Sequence, residues 1–181
     1  MSDNFVIIIN YGDLSSRQIA MILDKLNIKY TILLPNQSPK NSYTHIILSG
    51  GPKHVYENDH YPLSQWIIYS DVPVLGICYG MQLIAKTFGG IVIKMEEKEE
   101  GPVQITEIIN NKQIVQYQWM NRYDLVTRLP ENFTITAVTN KNHIAGFTDN
   151  KKWWAVQYHP EAKCCQNVSL FKRFIFQESP S

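Results

Sequence analysis

The chain has 181 residues, 44% of them hydrophobic, and carries 17 basic against 16 acidic side chains, a formal net charge of +1. That length and apolar content suit a single domain, residues 1–181, able to bury a substantial core, and the even charge excludes the basic surface of a nucleic-acid binder. Only three cysteines occur, two of them adjacent at Cys164-Cys165, which fits a reducing cytosol and leaves neither a disulfide framework nor a zinc spacing. Met1-Ser2-Asp3-Asn4 runs into a strand without the basic region and apolar stretch of a signal peptide, and no apolar run approaches the ~20 residues that span a bilayer. A soluble, cytoplasmic protein without a membrane partner is expected.

Phe5-Val6-Ile7-Ile8-Ile9 is a continuous, β-branched apolar run of the kind a strand buried on both faces requires. After the turn Asn10-Tyr11-Gly12-Asp13, Ser15 or Ser16 is suited to cap a helix whose Ile19, Ile22, Leu23 and Leu26 form one stripe. Tyr30 to Leu34 and Thr44 to Leu48 read as the next strands, followed by a helix around Tyr61 to Ser70 and a strand from Val72 to Ile77. Strand and helix alternate, which predicts an α/β fold with a mostly parallel sheet covered on both faces. Met81, Ile84, Ala85 and Phe88 then mark one face of a helix that Gly89-Gly90 stops.

Beyond Gly90 the pattern becomes strands without intervening helices: 91–94, 103–109, 113–118, 133–138, 144–148 and 153–158. Several should pair antiparallel as a smaller sheet, through turns such as Asn110-Asn111 and Asp149-Asn150. Glu96-Glu97-Lys98-Glu99-Glu100 reads as a solvated loop. Ser169 is placed to cap a last helix bearing Leu170, Phe171, Phe174 and Ile175, and Glu178 to Ser181 should fray.

Chemistry concentrates in Gly76-Ile77-Cys78-Tyr79-Gly80-Met81-Gln82, which sets a thiol between two glycines where a strand turns into a helix. Such a turn thrusts the residue out at the top of a sheet, and the helix start favours thiolate over thiol. Of five histidines, His159 alone follows a strand at its carboxyl end, where α/β sheets build their sites. Glu161, two residues on, is able to hold one imidazole nitrogen and leave the other facing sulfur. Ser49-Gly50-Gly51-Pro52 closes the third strand, where amides of Gly51 and Tyr79 are candidates for an oxyanion site, although a plain turn would use the same residues. Gln82 either reads a polar substrate or faces solvent. His45 and His60 read as structural or solvated, Cys164-Cys165 as inert, and no phosphate-binding loop of the GxxxxGK[ST] kind occurs.

Together, Gly76 to Gln82, Leu48 to Pro52 and Val156-Gln157-Tyr158-His159-Pro160-Glu161 resemble the class I (triad) glutamine amidotransferase domain, over nearly the whole chain. Val55-Tyr56-Glu57, Trp119-Met120, Asp124 and Val126 are most similar to the glutaminase part of GMP synthetase. The resemblance implies a flavodoxin-like α/β fold, with Cys78 attacking the side-chain amide of L-glutamine, His159 moving protons and Glu161 orienting His159. It implies that Gly50, Gly51, Tyr79, Gln82 and the segment Asn121-Arg122-Tyr123 bind substrate or oxyanion. It implies no cofactor in this chain, because ATP and Mg would belong to a separate ATP-pyrophosphatase synthetase subunit that uses the ammonia, most simply to make GMP from XMP.

Two departures stand out. The family's Trp-Met-Ser-His-Gly-Asp is replaced by Trp119-Met120-Asn121-Arg122-Tyr123-Asp124, with Tyr where Gly would relax the backbone, and Lys98-Glu99-Glu100-Gly101 has Glu100 in place of an aromatic. These changes bear on partner docking and activation more than on the triad. A free-standing γ-glutamyl hydrolase or peptidase is the alternative with the same chemistry, and a catalytically silent binding protein on the same fold is the alternative without it.

Overall fold

Phe5–Ile9 forms β1, with Val6 to Ile9 buried, as its unbroken apolar run requires. The computed structural model describes residues 4–176. After β1 come α1 (Asp13–Lys25), β2 (Lys29–Leu33), β3 (His45–Leu48), α2 (Gln65–Tyr69), β4 (Val74–Ile77) and α3 (Tyr79–Thr87). The second half holds β5 (Ile91–Ile109), β6 (Lys112–Arg128), β7 (Thr134–Thr139), β8 (Ile144–Thr148), β9 (Trp153–Val156), a 3-10 turn at Lys163–Cys165, and α4 (Val168–Phe176).

Among the described residues the strands join in one nine-stranded sheet, ordered β2-β1-β3-β4-β9-β8-β7-β5-β6. β2, β1, β3, β4 and β9 run parallel, and the remaining strands continue the sheet antiparallel from the β9–β8 pair. Alternation along the central strands divides the core. Val6, Ile8, Ile47 and Leu75 pack with Ile19, Leu23, Phe171 and Phe174 from α1 and α4, whereas Ile7, Ile9, Ile46 and Val74 pack with Ile67 and Ile84 from α2 and α3. The connections leave β1 for β2 on one side and reach β3 on the other, so a crevice opens at the carboxyl ends of β1 and β3.

Several local expectations are corrected. Neither Ser15 nor Ser16 caps α1: Gly12 is the N-cap, and both serines lie buried inside the first turns. The helix expected over 61–70 starts only at Gln65, because Pro62 disfavours helical backbone at the residue before it and Ser64 is still extended. α4 is capped by Asn167, whose Oδ1 accepts from the Leu170 amide at 3.1 Å, and Ser169 donates to the same oxygen at 2.7 Å. The acidic run 96–100 is not a loop. It belongs to β5, where Glu99 pairs with Arg122 and Glu100 with Asn121 after a register shift. Asn121, Arg122 and Tyr123 therefore lie in strand β6. Glu178 to Ser181 lie outside the described residues.

Candidate active site

Cys78 stands alone between β4 and α3 with φ 51° and ψ −104°, a combination that glycine tolerates and a side chain strains. The flanking glycines make the turn possible. A Cβ on Gly76 would fall 2.6 Å from Ile84 Cδ1 and 2.7 Å from the Gly80 backbone, and one on Gly80 would fall 2.5 Å from the Leu48 carbonyl oxygen. The Cys78 amide donates to the Val156 carbonyl at 2.8 Å, which fastens the turn to β9.

Three residues beyond β9, His159 donates its own amide to the Trp119 carbonyl at 2.8 Å, and its Nδ1 lies 2.8 Å from Glu161 Oε1. Glu161 is fully buried, and its Oε2 finds no hydrogen-bond partner among the described residues. Burial pushes the His159 imidazolium down, but the charge and hydrogen bond of the Cys78 sulfur, joined by those of Glu161, carry it well above the ordinary histidine value. That direction favours the imidazolium between a sulfur and a carboxylate, an arrangement suited to protonating a leaving amine.

The Ser49-Gly50-Gly51 turn at the end of β3 lies against this pair. A Cβ on Gly50 would come 2.8 Å from His159 Cε1 and 3.5 Å from Cys78 Cβ, whereas one on Gly51 would strike the Tyr11 carbonyl oxygen at 2.5 Å. The Gly50 amide donates to Ser15 Oγ at 3.0 Å. Ser49 Oγ accepts from the Tyr11 amide at 2.9 Å and donates to the Gly50 carbonyl at 2.9 Å, so the turn is tied to β1 as well.

A cleft of about 980 Å³ opens over these residues, and Cys78, His159, Glu161, Gly50, Gly51, Gln82, Asn121, Arg122 and Tyr123 all border it. The Asn121 carbonyl faces Cys78 Sγ at 3.7 Å. Gln82 does not face solvent: it is 2% exposed and donates to Gln157 Oε1 at 3.2 Å. Tyr123 is half-exposed with Lys98 Nζ 5.8 Å from its ring centre. Arg122 is buried, its charge engaged by Glu99. The Tyr79 ring packs against that of Tyr11, tilted by 52° with centres 5.0 Å apart, and does not line the cleft, so only its backbone is placed to serve a substrate. His45 is buried and His60 partly exposed, hydrogen-bonded locally to Thr44 and Glu57 respectively.

A model of the family described as "Glutamine amidotransferase class-I" matches residues 7–177. The chain belongs to that family. Curated relatives of this amidotransferase include glutamine-hydrolyzing GMP synthases from Finegoldia magna, 33% identical over 98% of this chain and 37% of that protein, and from Thermotoga maritima, 38% identical over 86% of this chain and 32% of that protein. The chain thus spans about a third of the length of those relatives. Among solved structures, a putative GMP synthase subunit from Thermoplasma acidophilum superposes with a TM-score of 0.83 at 23% identity, covering 97% of this chain and 94% of that one. A glutamine amidotransferase from Thermotoga maritima follows the same fold at a TM-score of 0.75 and 23% identity, covering 90% of this chain and 78% of that one.

A contact at the cleft escapes a sequence reading, which names Tyr56 and Asp124 only through the family resemblance and gives His54 no role. His54 Nδ1 lies 2.6 Å from Asp124 Oδ2, and Tyr56 donates to Asp124 Oδ1 at 2.8 Å, so that the segment after Pro52 is tied to β6 at the cleft's mouth. Neither partner signals the other locally. Among the described residues no helix is long and apolar enough to cross a membrane, and no group of three or more His, Cys, Asp and Glu side chains is placed to hold a metal.

Proposed function

We propose that this chain hydrolyses L-glutamine through Cys78, His159 and Glu161 and passes the ammonia to a synthetase subunit that converts XMP to GMP. The observation that carries the reading is the convergence of a strained Cys78, His159 and a buried Glu161 at one cleft, with His159 Nδ1 2.8 Å from Glu161 Oε1. The names of the 33–38% identical relatives support the acceptor. In this reading the ammonia-using chemistry, with its ATP and Mg, is assigned to an ATP-pyrophosphatase synthetase subunit.

In this reading Cys78 Sγ attacks the γ-carbonyl of glutamine, and the oxyanion forms beside the Gly51 and Tyr79 amides. His159 gives its proton to the departing nitrogen, and ammonia leaves with the C–N bond broken. Water, deprotonated by His159, then cleaves the γ-glutamyl thioester to release glutamate and restore the sulfur. Gln82, Gly50 and the Asn121-Arg122-Tyr123 strand border the bound amino acid, chiefly through backbone groups. The test is glutamate release by the wild type and by Cys78→Ala, each alone and with the ATP-pyrophosphatase subunit, ATP, Mg and XMP. The expected result is a loss of at least about a thousandfold in Cys78→Ala, with GMP formed from glutamine only in the mixture with wild type. Full glutaminase activity in Cys78→Ala would overturn the mechanism, and brisk hydrolysis that the synthetase subunit leaves unaltered would favour a free-standing hydrolase.

A further inference from the structure

We infer that Ser15 is a positioning residue for the cysteine site, coupling the glycine turn after β3 to the acid-base strength of His159; the inference rests on the glutaminase reading above. Ser15 sits in the first turn of α1, 8% exposed, where a helix of this amphipathic pattern would ordinarily bury an apolar side chain or none. Its Oγ donates to Glu161 Oε1 at 2.6 Å and accepts from the Gly50 amide at 3.0 Å. Glu161 Oε1 is also the oxygen that His159 Nδ1 meets at 2.8 Å. A continuous path therefore runs from the Gly50 amide through one hydroxyl to the carboxylate and the imidazole.

Two consequences follow from the direction of the donors. The Ser15 hydroxyl and His159 share one carboxylate oxygen, so the hydroxyl spreads its charge and weakens its hold on the imidazolium proton. Without that donor, Glu161 would pull harder on His159, whose proton would leave only at higher pH. The second consequence concerns the turn. A Cβ on Gly50 would come 2.8 Å from His159 Cε1 and 3.5 Å from Cys78 Cβ, so the turn lies beside both, and the Gly50 amide has Ser15 Oγ as its acceptor. Loss of that acceptor frees the Ser49-Gly50 peptide, which directly precedes the Gly50-Gly51 peptide carrying the proposed oxyanion donor. Ser16, the next residue, is 1% exposed, and its hydroxyl donates to the Asp13 carbonyl at 3.1 Å, a matched helical hydroxyl directed at its own helix and not at the site.

The experiment compares wild type with Ser15→Ala, Ser15→Thr and Ser16→Ala in two readouts. The first is the titration of the His159 ring by NMR, which needs no turnover. The second is the pH profile of Cys78 alkylation by a diazo-ketone analogue of glutamine, located by mass spectrometry, with thermal unfolding as the check on folding. Ser15→Ala is expected to raise the His159 pKa by about half a unit to one unit and to slow alkylation about tenfold, the worth of one charge-assisted hydrogen bond. Ser15→Thr, which keeps the hydroxyl, should return both toward wild type, and Ser16→Ala should alter neither, whatever either does to the unfolding temperature. A His159 titration in Ser15→Ala that superimposes on wild type would overturn the inference while leaving the glutaminase reading intact. Absence of alkylation at Cys78 in the wild type would overturn the glutaminase reading, and the catalytic meaning of Ser15 with it.

Discussion

Arg122 and Glu99 face each other across the β5–β6 hairpin, with Nη2 at 2.6 Å and Nε at 2.8 Å from the same carboxylate oxygen. The arginine side chain is 0% exposed and the glutamate 10%. Asn121 and Tyr123, on either side of Arg122, point the other way, and the Asn121 carbonyl meets Cys78 Sγ. The ion pair therefore anchors the segment whose Asn121 carbonyl borders the sulfur. This gives the departure from Ser-His-Gly a structural meaning: the strand is held by a buried cross-strand charge pair.

Glu99→Gln should be costly for that reason. It leaves a buried guanidinium opposite a neutral amide, and Arg122 Nη1 already lacks a partner among the described residues. Breaking one side of a buried pair typically costs about 3 kcal/mol, which would appear as a lower urea midpoint with little change in slope. Replacing both partners, Glu99→Leu with Arg122→Met, should recover much of the loss. Equal midpoints for Glu99→Gln and wild type would show that the pair does not anchor the strand.

The two glycines of the β3 turn should fail differently. At Gly50 an added methyl meets the His159 ring at 2.8 Å, a side chain able to swing aside at the expense of its alignment with Cys78. At Gly51 the methyl meets the Tyr11 carbonyl at 2.5 Å, a backbone group that cannot yield cheaply. Gly50→Ala is therefore expected to lose about tenfold or more in glutaminase or alkylation rate with a modest change in stability, and Gly51→Ala to lose roughly 2 kcal/mol or more of stability. Unfolding and rate measured on both variants check the split, and a reversed pattern would place His159 elsewhere.

The elbow is legible in the sequence because all its determinants are local. Gly76 and Gly80 stand two residues either side of Cys78, and each is needed for a contact within the same strand–turn–helix unit or its neighbouring strand. His159 is legible through its place after an apolar strand, and Glu161 through adjacency. Ser15 is not, since a serine near a helix start looks like a cap, and its partner Glu161 lies 146 residues away. Likewise, five charged residues at 96–100 look solvated until Arg122, 23 positions beyond Glu99, supplies that glutamate with a buried partner and the hairpin registers around it. Local patterns carry propensity, and long-range charge and hydrogen-bond partners override it.

His45 predicts an acid-side weakness that has nothing to do with catalysis. It is buried in β3 with its ring 5.2 Å from that of Phe174, and burial lowers its pKa to about 4. The unfolded chain takes up that proton near pH 6.5, so between pH 6.5 and 4 the unfolded state binds more protons and stability falls as pH falls. The full effect is on the order of 3 kcal/mol. Urea midpoints from pH 7.5 to 4.5 should therefore drop less steeply in His45→Phe than in wild type. Parallel curves would assign the acid sensitivity to other groups.

Cys78 itself separates strain from chemistry. Alanine at position 78 keeps the Cβ and so keeps the cost of φ 51° with ψ −104°, whereas glycine removes both the Cβ and the cost. The side chain is only 6% exposed, so each substitution also loses the packing of the sulfur, and that loss is nearly common to the two. Cys78→Gly is accordingly expected to be more stable than Cys78→Ala by about 1 kcal/mol, despite the greater freedom glycine gives the unfolded chain. Neither should release glutamate. Chemical denaturation of the two variants side by side makes the comparison, and an alanine variant as stable as the glycine one would mean that the turn holds the sulfur without strain.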